Sequence, residues 1–262
     1  MPVTHAHLIH LVSSAGAAFL AGAINSVAGG GTLITFPVLL LLGLPPIVAN
    51  ATSTVAIWPG SLGSIWGFRR ELRRIDPAMR ILAIPSLLGG GMGALLLRHS
   101  SSRLFEHLVP FLLFFATTLF MVQGPMQRRL SPGPAGGSAM AGRKLILALS
   151  LQLLFGIYGG YFGAGVSIIM LAALGIFGLT DIFEMSALTS LFSFCINGVA
   201  IVIFIAAGLV DWPTVLAMAL CAVAGGLGAA GLARRIGRLT VRRFVIGVGV
   251  SMTLVFSLRL LR

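Results

Sequence analysis

Nearly all the charged side chains of this chain stand in short connectors between long apolar runs. The runs cover roughly 8–28, 33–44, 47–67, 81–97 and 107–123, then 145–162, 166–178, 187–209, 214–232 and 244–261. A helix that crosses the hydrocarbon of a bilayer needs about 20 residues at about 1.5 Å each. Most of these runs reach that length or nearly do. Charged residues make up 9% of the chain, against about 25% in a soluble domain. So few charges cannot clothe a water-facing surface. The pattern predicts an all-α polytopic integral membrane protein with about eight to ten membrane segments and rules out a soluble enzyme.

Eighteen Lys and Arg against six Asp and Glu give a net charge of +12. On a soluble protein that excess would suggest a nucleic-acid partner. Here the cations mark membrane orientation, and no nucleic acid is expected. Cys195 and Cys221 lie inside apolar runs and read as packing residues. The spans offer no His and no paired carboxylates, so the sequence gives no catalytic residues, no metal site and no cofactor. Met1 to His10 has no Lys or Arg, so the first run is kept as structure rather than read as a cleaved leader.

The second run of each half is too short to cross unaided, and each follows a glycine cluster: Gly29-Gly30-Gly31 in one, Gly163-Ala164-Gly165 in the other. The halves match as repeats. Gly90-Gly91-Met92-Gly93-Ala94 corresponds to Gly225-Gly226-Leu227-Gly228-Ala229 at a separation of 135, and Gly29-x-Gly31 to Gly163-x-Gly165 at 134. Asn50-Ala51-Thr52-Ser53-Thr54 faces Ser186-Ala187-Leu188-Thr189-Ser190 at 136. This divides the chain into an N-terminal repeat (1–123), a cytoplasmic basic linker (124–144) and a C-terminal repeat (145–262). Gly89 to Gly93 and Gly225 to Gly228 read as helix-packing faces, not phosphate loops.

Charge sets the relative orientation of the halves. Suppose each crosses an odd number of times, with the N-terminus outside. Connectors 68–80, 124–144 and 233–243 then share the cytoplasmic side. They carry Arg69, Arg70, Arg73, Arg74, Arg80, Arg128, Arg129, Arg143, Lys144, Arg234, Arg235, Arg238, Arg242 and Arg243, leaving Arg98, Arg103, Arg259 and Arg262 outside. An even number would put 68–80 and 233–243 on opposite sides and erase the bias. The positive-inside rule therefore predicts inverted repeats.

Glycine-interrupted segments at matching positions of inverted repeats point to a transporter's midplane site. A helix that starts inside the membrane leaves its first N–H groups unpaired at a positive dipole end, which suits an anion. The candidate substrate-binding residues are Asn25, Gly29, Gly30, Gly31, Thr32, Asn50, Thr52 and Ser53 in the first half. In the second they are Tyr158, Tyr161, Gly163, Gly165, Ser167, Ser186 and Thr189. Their hydroxyls and amides offer hydrogen bonds without charge. Asp181 and Glu184 read as an interfacial cap, and His5, His7 and His10 as an exposed terminus. Arg69 to Arg74 reads as an anchor for anionic lipid head groups, and Trp58, Trp66 and Trp212 as interfacial aromatics.

The run from Gly22 to Leu72 resembles the sulfite exporter TauE/SafE family, also called the toluene sulfonate uptake permease family. The likeness rests on Asn25, Gly29-Gly30-Gly31, Pro37, Gly43-Leu44-Pro45-Pro46, Ala49-Asn50-Ala51-Thr52, Pro59-Gly60 and Gly67-Phe68-Arg69-Arg70-Glu71-Leu72. In the second half, Gly156, Gly163-Ala164-Gly165, Asn197, Asp211-Trp212 and Gly225 to Ala229 are also similar. Ser186-Ala187-Leu188-Thr189 departs from the family pattern by lacking a basic residue. The resemblance implies a multi-pass permease of the cytoplasmic (inner) membrane that exports a small sulfur-containing anion, sulfite or an organosulfonate, by alternating access. An importer, a channel-like uniporter of another anion, or a non-transporting assembly partner are the alternatives. The expected partners are the anion and membrane lipid; the oligomeric state is left open.

Overall fold

In hydrocarbon the backbone has no water to bond, so an apolar run must satisfy its own N–H and C=O groups, and the α-helix does this within one segment. The computed structural model describes residues 5–25, 30–75, 77–129, 142–177, 179, 181–236 and 238–260. Among these there are α-helices and no strands. The first half holds α1 (His5–Asn25), α2 (Thr32–Leu41), α3 (Pro46–Gly67), α4 (Arg69–Arg74), α5 (Pro77–Arg80), α6 (Ala83–His99) and α7 (Ser102–Arg129). The second holds α8 (Arg143–Tyr161), α9 (Val166–Ile176), α10 (Ile182–Ala206), α11 (Trp212–Ile236) and α12 (Arg238–Leu260). Each apolar run holds a helix. The basic connector 68–80 adds two short ones, α4 and α5, that its density of arginines hid.

Local chemistry sets the ends. Pro46 opens α3, where a missing N–H costs nothing and the ring's fixed φ suits the first turn. Asp181 caps α10, its Oδ1 accepting from the Phe183 amide at 2.7 Å. Arg80 closes α4, its Nη2 donating to the carbonyls of Leu72 at 2.8 Å and Ile75 at 3.3 Å.

Length separates two kinds of helix. The 21-residue stretch Ser102–Val122 of α7 and the 25 residues of α10 reach about 30 Å or more, enough to cross. The 10 residues of α2 and 11 of α9 reach only about 15 Å, half the hydrocarbon.

α1 packs along α11, and α6 along α8. Both pairs approach backbone to backbone. A Cβ on Gly22 would strike the Ala222 carbonyl, and one on Gly93 the Ile157 carbonyl. The glycine clusters thus act as packing faces: Gly89 and Gly93 against α8, Gly90 against Ile196 of α10, Gly225 against Phe19 of α1. The surroundings of Leu227 and Gly228 lie outside the described residues. Most of the remaining contacts are reciprocal, although α3–α7 and α11–α12 have no counterpart of similar extent. α3 touches α11 as α10 touches α6, α2 touches α12 as α9 touches α7, and α3–α10 and α7–α12 pair across the middle.

α3 and α10 run in opposite directions. Near the start of α3, the Thr52 hydroxyl accepts from the Asp211 amide, just past the end of α10, at 3.0 Å. Beyond the end of α3, Phe68, Leu72 and Ile75 join a core cluster with Met185 and Leu188 at the start of α10. Between them Trp58 stacks on Phe194, ring centroids 4.7 Å apart, and its Nε1 donates to the Phe194 carbonyl at 3.3 Å.

The interior is closed by Phe36, Phe105, Phe120, Phe162 and Phe204, all fully buried. The outside is as apolar as the inside: Phe111 is 71% exposed, Leu220 76% and Ile176 82%. A surface of that kind is matched by lipid and not by water.

Candidate functional site

Two glycines set the geometry. Gly30 precedes α2 with φ +88°, and Gly165 precedes α9 with φ +78°, a left-handed region that side chains rarely enter. Each is also held by α7. A Cβ on Gly30 would run into the ring of Phe120, and one on Gly165 into Leu119 and Ala116. The two breaks, far apart in sequence, converge on the turn Ala116 to Phe120 of α7. Aromatic rings fill the space around them. Phe36 meets Phe162 edge-on at 5.3 Å, Phe105 meets Tyr161 at 5.6 Å and Phe115 meets Tyr158 at 5.5 Å.

Several predicted residues come together here. Asn50 on α3 is 1% exposed and reaches across to the end of α8, its Nδ2 donating to the Tyr161 carbonyl at 3.1 Å. Its Oδ1 is buried without a hydrogen-bond partner. The Tyr158 hydroxyl donates to the Ala164 carbonyl at 2.7 Å, pinning the link between α8 and α9 in which Gly163 also lies. The Tyr161 hydroxyl lies 3.3 Å from that of Ser100.

The openings of the two short helices differ. At α2 most of the first amides are paired, those of Gly31, Leu33, Ile34 and Thr35 among them. Asn25 accepts through Oδ1 from the Gly31 amide at 2.7 Å, so it caps the helix instead of donating to a solute. The amides of Leu33 and Ile34 bond to the carbonyls of Gly30 and Gly31 at 3.0 Å each, and that of Thr35 to Gly31 at 3.1 Å. Tight bonds of this kind are how a short helix end satisfies its own donors. Thr32 is half-buried at this opening, and Gly29 lies outside the described residues.

At α9 the Gly163 amide bonds to the Tyr158 carbonyl, Val166 to Gly163 and Ile168 to Gly165. Among the described residues, no carbonyl pairs with the amides of Ala164, Gly165 or Ser167. Beside them the exposed Ser167 hydroxyl lies 3.3 Å from that of Ser193 on α10. Asn197, one turn further along α10, has its Oδ1 3.9 Å from where a Gly163 Cβ would stand.

Other predicted residues fall elsewhere. Thr52 bonds to Asp211, as described. The Ser53 hydroxyl pairs with Thr35 at 2.6 Å, joining α2 to α3. Thr189 donates to the Ser186 carbonyl at 3.0 Å, within its own helix. Ser193 is the residue that reading the sequence residue by residue missed. Its signal was present in Ser186, Ser190, Ser193 and Asn197, spaced four, three and four apart and so on one face of an otherwise apolar helix. All four are half-buried.

An apolar exterior, a closed helical interior and two broken helices meeting at depth are the attributes of a multi-pass membrane transporter. The chain belongs to the sulfite exporter TauE/SafE family, whose model matches residues 14–256. It is 28% identical over 242 residues to a "Probable membrane transporter protein" of Haemophilus influenzae, covering 90% of this chain and 89% of the relative. It is 30% identical over 210 residues to "Probable membrane transporter protein ORF9" of Sinorhizobium, covering 78% and 76%. "Probable membrane transporter protein YfcA" of Escherichia coli K12 is 27% identical over 243 residues, covering 90% and 85%. These are names of transporters, not enzymes. No solved structure matches the chain.

Proposed function

We propose that the protein exports a small sulfur-containing anion, sulfite or an organosulfonate, across the cytoplasmic membrane, and that the opening of α9 is where the anion sits. The observation that carries this reading is the set of amides at Ala164, Gly165 and Ser167, which have no acceptor within the described structure. They stand at the positive end of a helix dipole beside the hydroxyls of Ser167 and Ser193. Neutral donors suit a monoanion that must also leave, because no fixed cation holds it. Of the residues proposed from sequence, Gly163, Gly165 and Ser167 form this seat. Asn50, Tyr158 and Tyr161 brace the α8–α9 link, while Gly30, Gly31, Thr32 and Asn25 shape the opposite break.

Movement is by alternating access between two inverted repeats, residues 1–123 and 145–262, joined by the linker 124–144. Exchanging α1 with α8, α2 with α9, α3 with α10, α6 with α11 and α7 with α12 turns most of one set of helix contacts into the other. The opposite directions of the corresponding helices α3 and α10 favour inverted over parallel copies. Of the linker, residues 130–141 lie outside the described structure.

The test is efflux from proteoliposomes loaded with sulfite, a small alkanesulfonate or thiosulfate. Saturable, protein-dependent flux is expected, reduced at least about tenfold by Gly165→Ala and by the pair Ser167→Ala, Ser193→Ala at matched reconstitution. Flux that is absent for the whole panel overturns the substrate class. Flux that is unchanged in these variants overturns the seat. Uptake without efflux makes the protein an importer.

A further inference from the structure

The far end of α3 carries a feature that transport does not use. Gly60, Gly63 and Gly67 share one side of the helix, and a Cβ at any of them would meet nothing within 4 Å. Gly63 lines a groove of about 590 Å³. Its walls are Leu62, Gly63, Ile65, Trp66 and Leu72, and at one end stand Arg69 and Arg73. Trp66 is 70% exposed, and the Arg69 guanidinium lies 4.7 Å over its ring while donating to the Trp66 carbonyl at 2.9 Å. That contact turns Arg69 back along the groove instead of out into water. Arg73 follows one helical turn later, on the same face of α4. Neither arginine has a carboxylate partner among the described residues. Glu71, between them in sequence, does not line the groove, and its Oε2 is buried.

We infer that this groove is a binding site for one anionic glycerophospholipid. An acyl chain lies in the groove over Leu62 and Gly63, and the phosphate sits between Arg69 and Arg73. Charge complementarity selects this occupant. A purely apolar groove would accept any lipid tail, whereas two unpaired guanidinium groups at the membrane surface select a headgroup with net negative charge. Trp66 marks the level where tail gives way to headgroup. The inference is independent of which solute is carried.

The experiment is native mass spectrometry of the delipidated full chain in detergent, titrated with phosphatidylglycerol, with phosphatidylcholine of the same chains, and with inorganic phosphate. Phosphatidylglycerol is expected to bind at least about tenfold tighter than phosphatidylcholine, and phosphate alone not to compete. Arg73→Gln, whose side chain supports no described contact, should erase most of that preference. Gly63→Leu, whose Cβ would meet nothing within 4 Å, should weaken both lipids. Equal binding of the two lipids, a preference unchanged in Arg73→Gln, or competition by free phosphate at the same concentration overturns the site. A dimer that Gly63→Leu dissociates also overturns it, by showing that a second copy fills the groove.

Discussion

Asn50 illustrates how one side chain serves two ends in a medium without water. Its amide nitrogen gives the Tyr161 carbonyl a partner at the point where α8 stops and no following helix turn can supply one. Removing that donor leaves a buried carbonyl unpaired, a loss of about 1–3 kcal/mol. Asn50→Ala is therefore expected to melt at a lower temperature in detergent, and Asn50→Asp, which also lacks the donor and adds charge, lower still. Equal melting of Asn50→Ala and the parent chain would show that the bond contributes nothing to stability. Gly30 and Gly165 act through shape instead: both have left-handed backbone, the Phe120 ring leaves no room for a Cβ at Gly30, and Leu119 crowds one at Gly165. Glycine clusters announce such places in a sequence. What they do not announce is the neighbour, because Phe120 lies 90 positions from Gly30 and Leu119 46 positions from Gly165, and each pair meets only in the folded chain.

The helices themselves were largely legible as apolar runs, for a physical reason: in lipid, hydrophobic length and helix length are set by the same thickness. The boundaries were less so. α7 begins at Ser102, ahead of the run at 107, and continues to Arg129 past its end at 123. α10 begins at Ile182, five residues before its run, because Asp181 caps it. Backbone hydrogen bonding does not stop where lipid does. The asymmetry between α2 and α9 was not legible at all, since both follow glycine clusters and only side-chain geometry decides whether the first amides are closed by Asn25 or left open. Arg80 ties α5 to the carbonyls that end α4. Arg80→Ala should speed amide hydrogen exchange across 69–80 by roughly fivefold to tenfold and leave the long helices unchanged. Unaltered exchange there would remove Arg80 from the cap.

At the scale of the whole molecule, the halves meet along glycine-lined seams, α1 on α11 and α6 on α8, and around the crossing of α3 with α10. The seams pack backbone on backbone. The crossing is held by side chains, the stacked pair Trp58 and Phe194. The chain has three tryptophans, and Trp66 and Trp212 are exposed. With Trp66→Phe and Trp212→Phe, the emission spectrum belongs to Trp58 alone. Under the alternating access proposed above, movement at this crossing would change the ring's environment and give the protein its own optical reporter. Addition of a transported solute should shift or quench that emission with the same concentration dependence as flux, and a silent Trp58 during active transport would mean that the crossing stays fixed while the cargo passes.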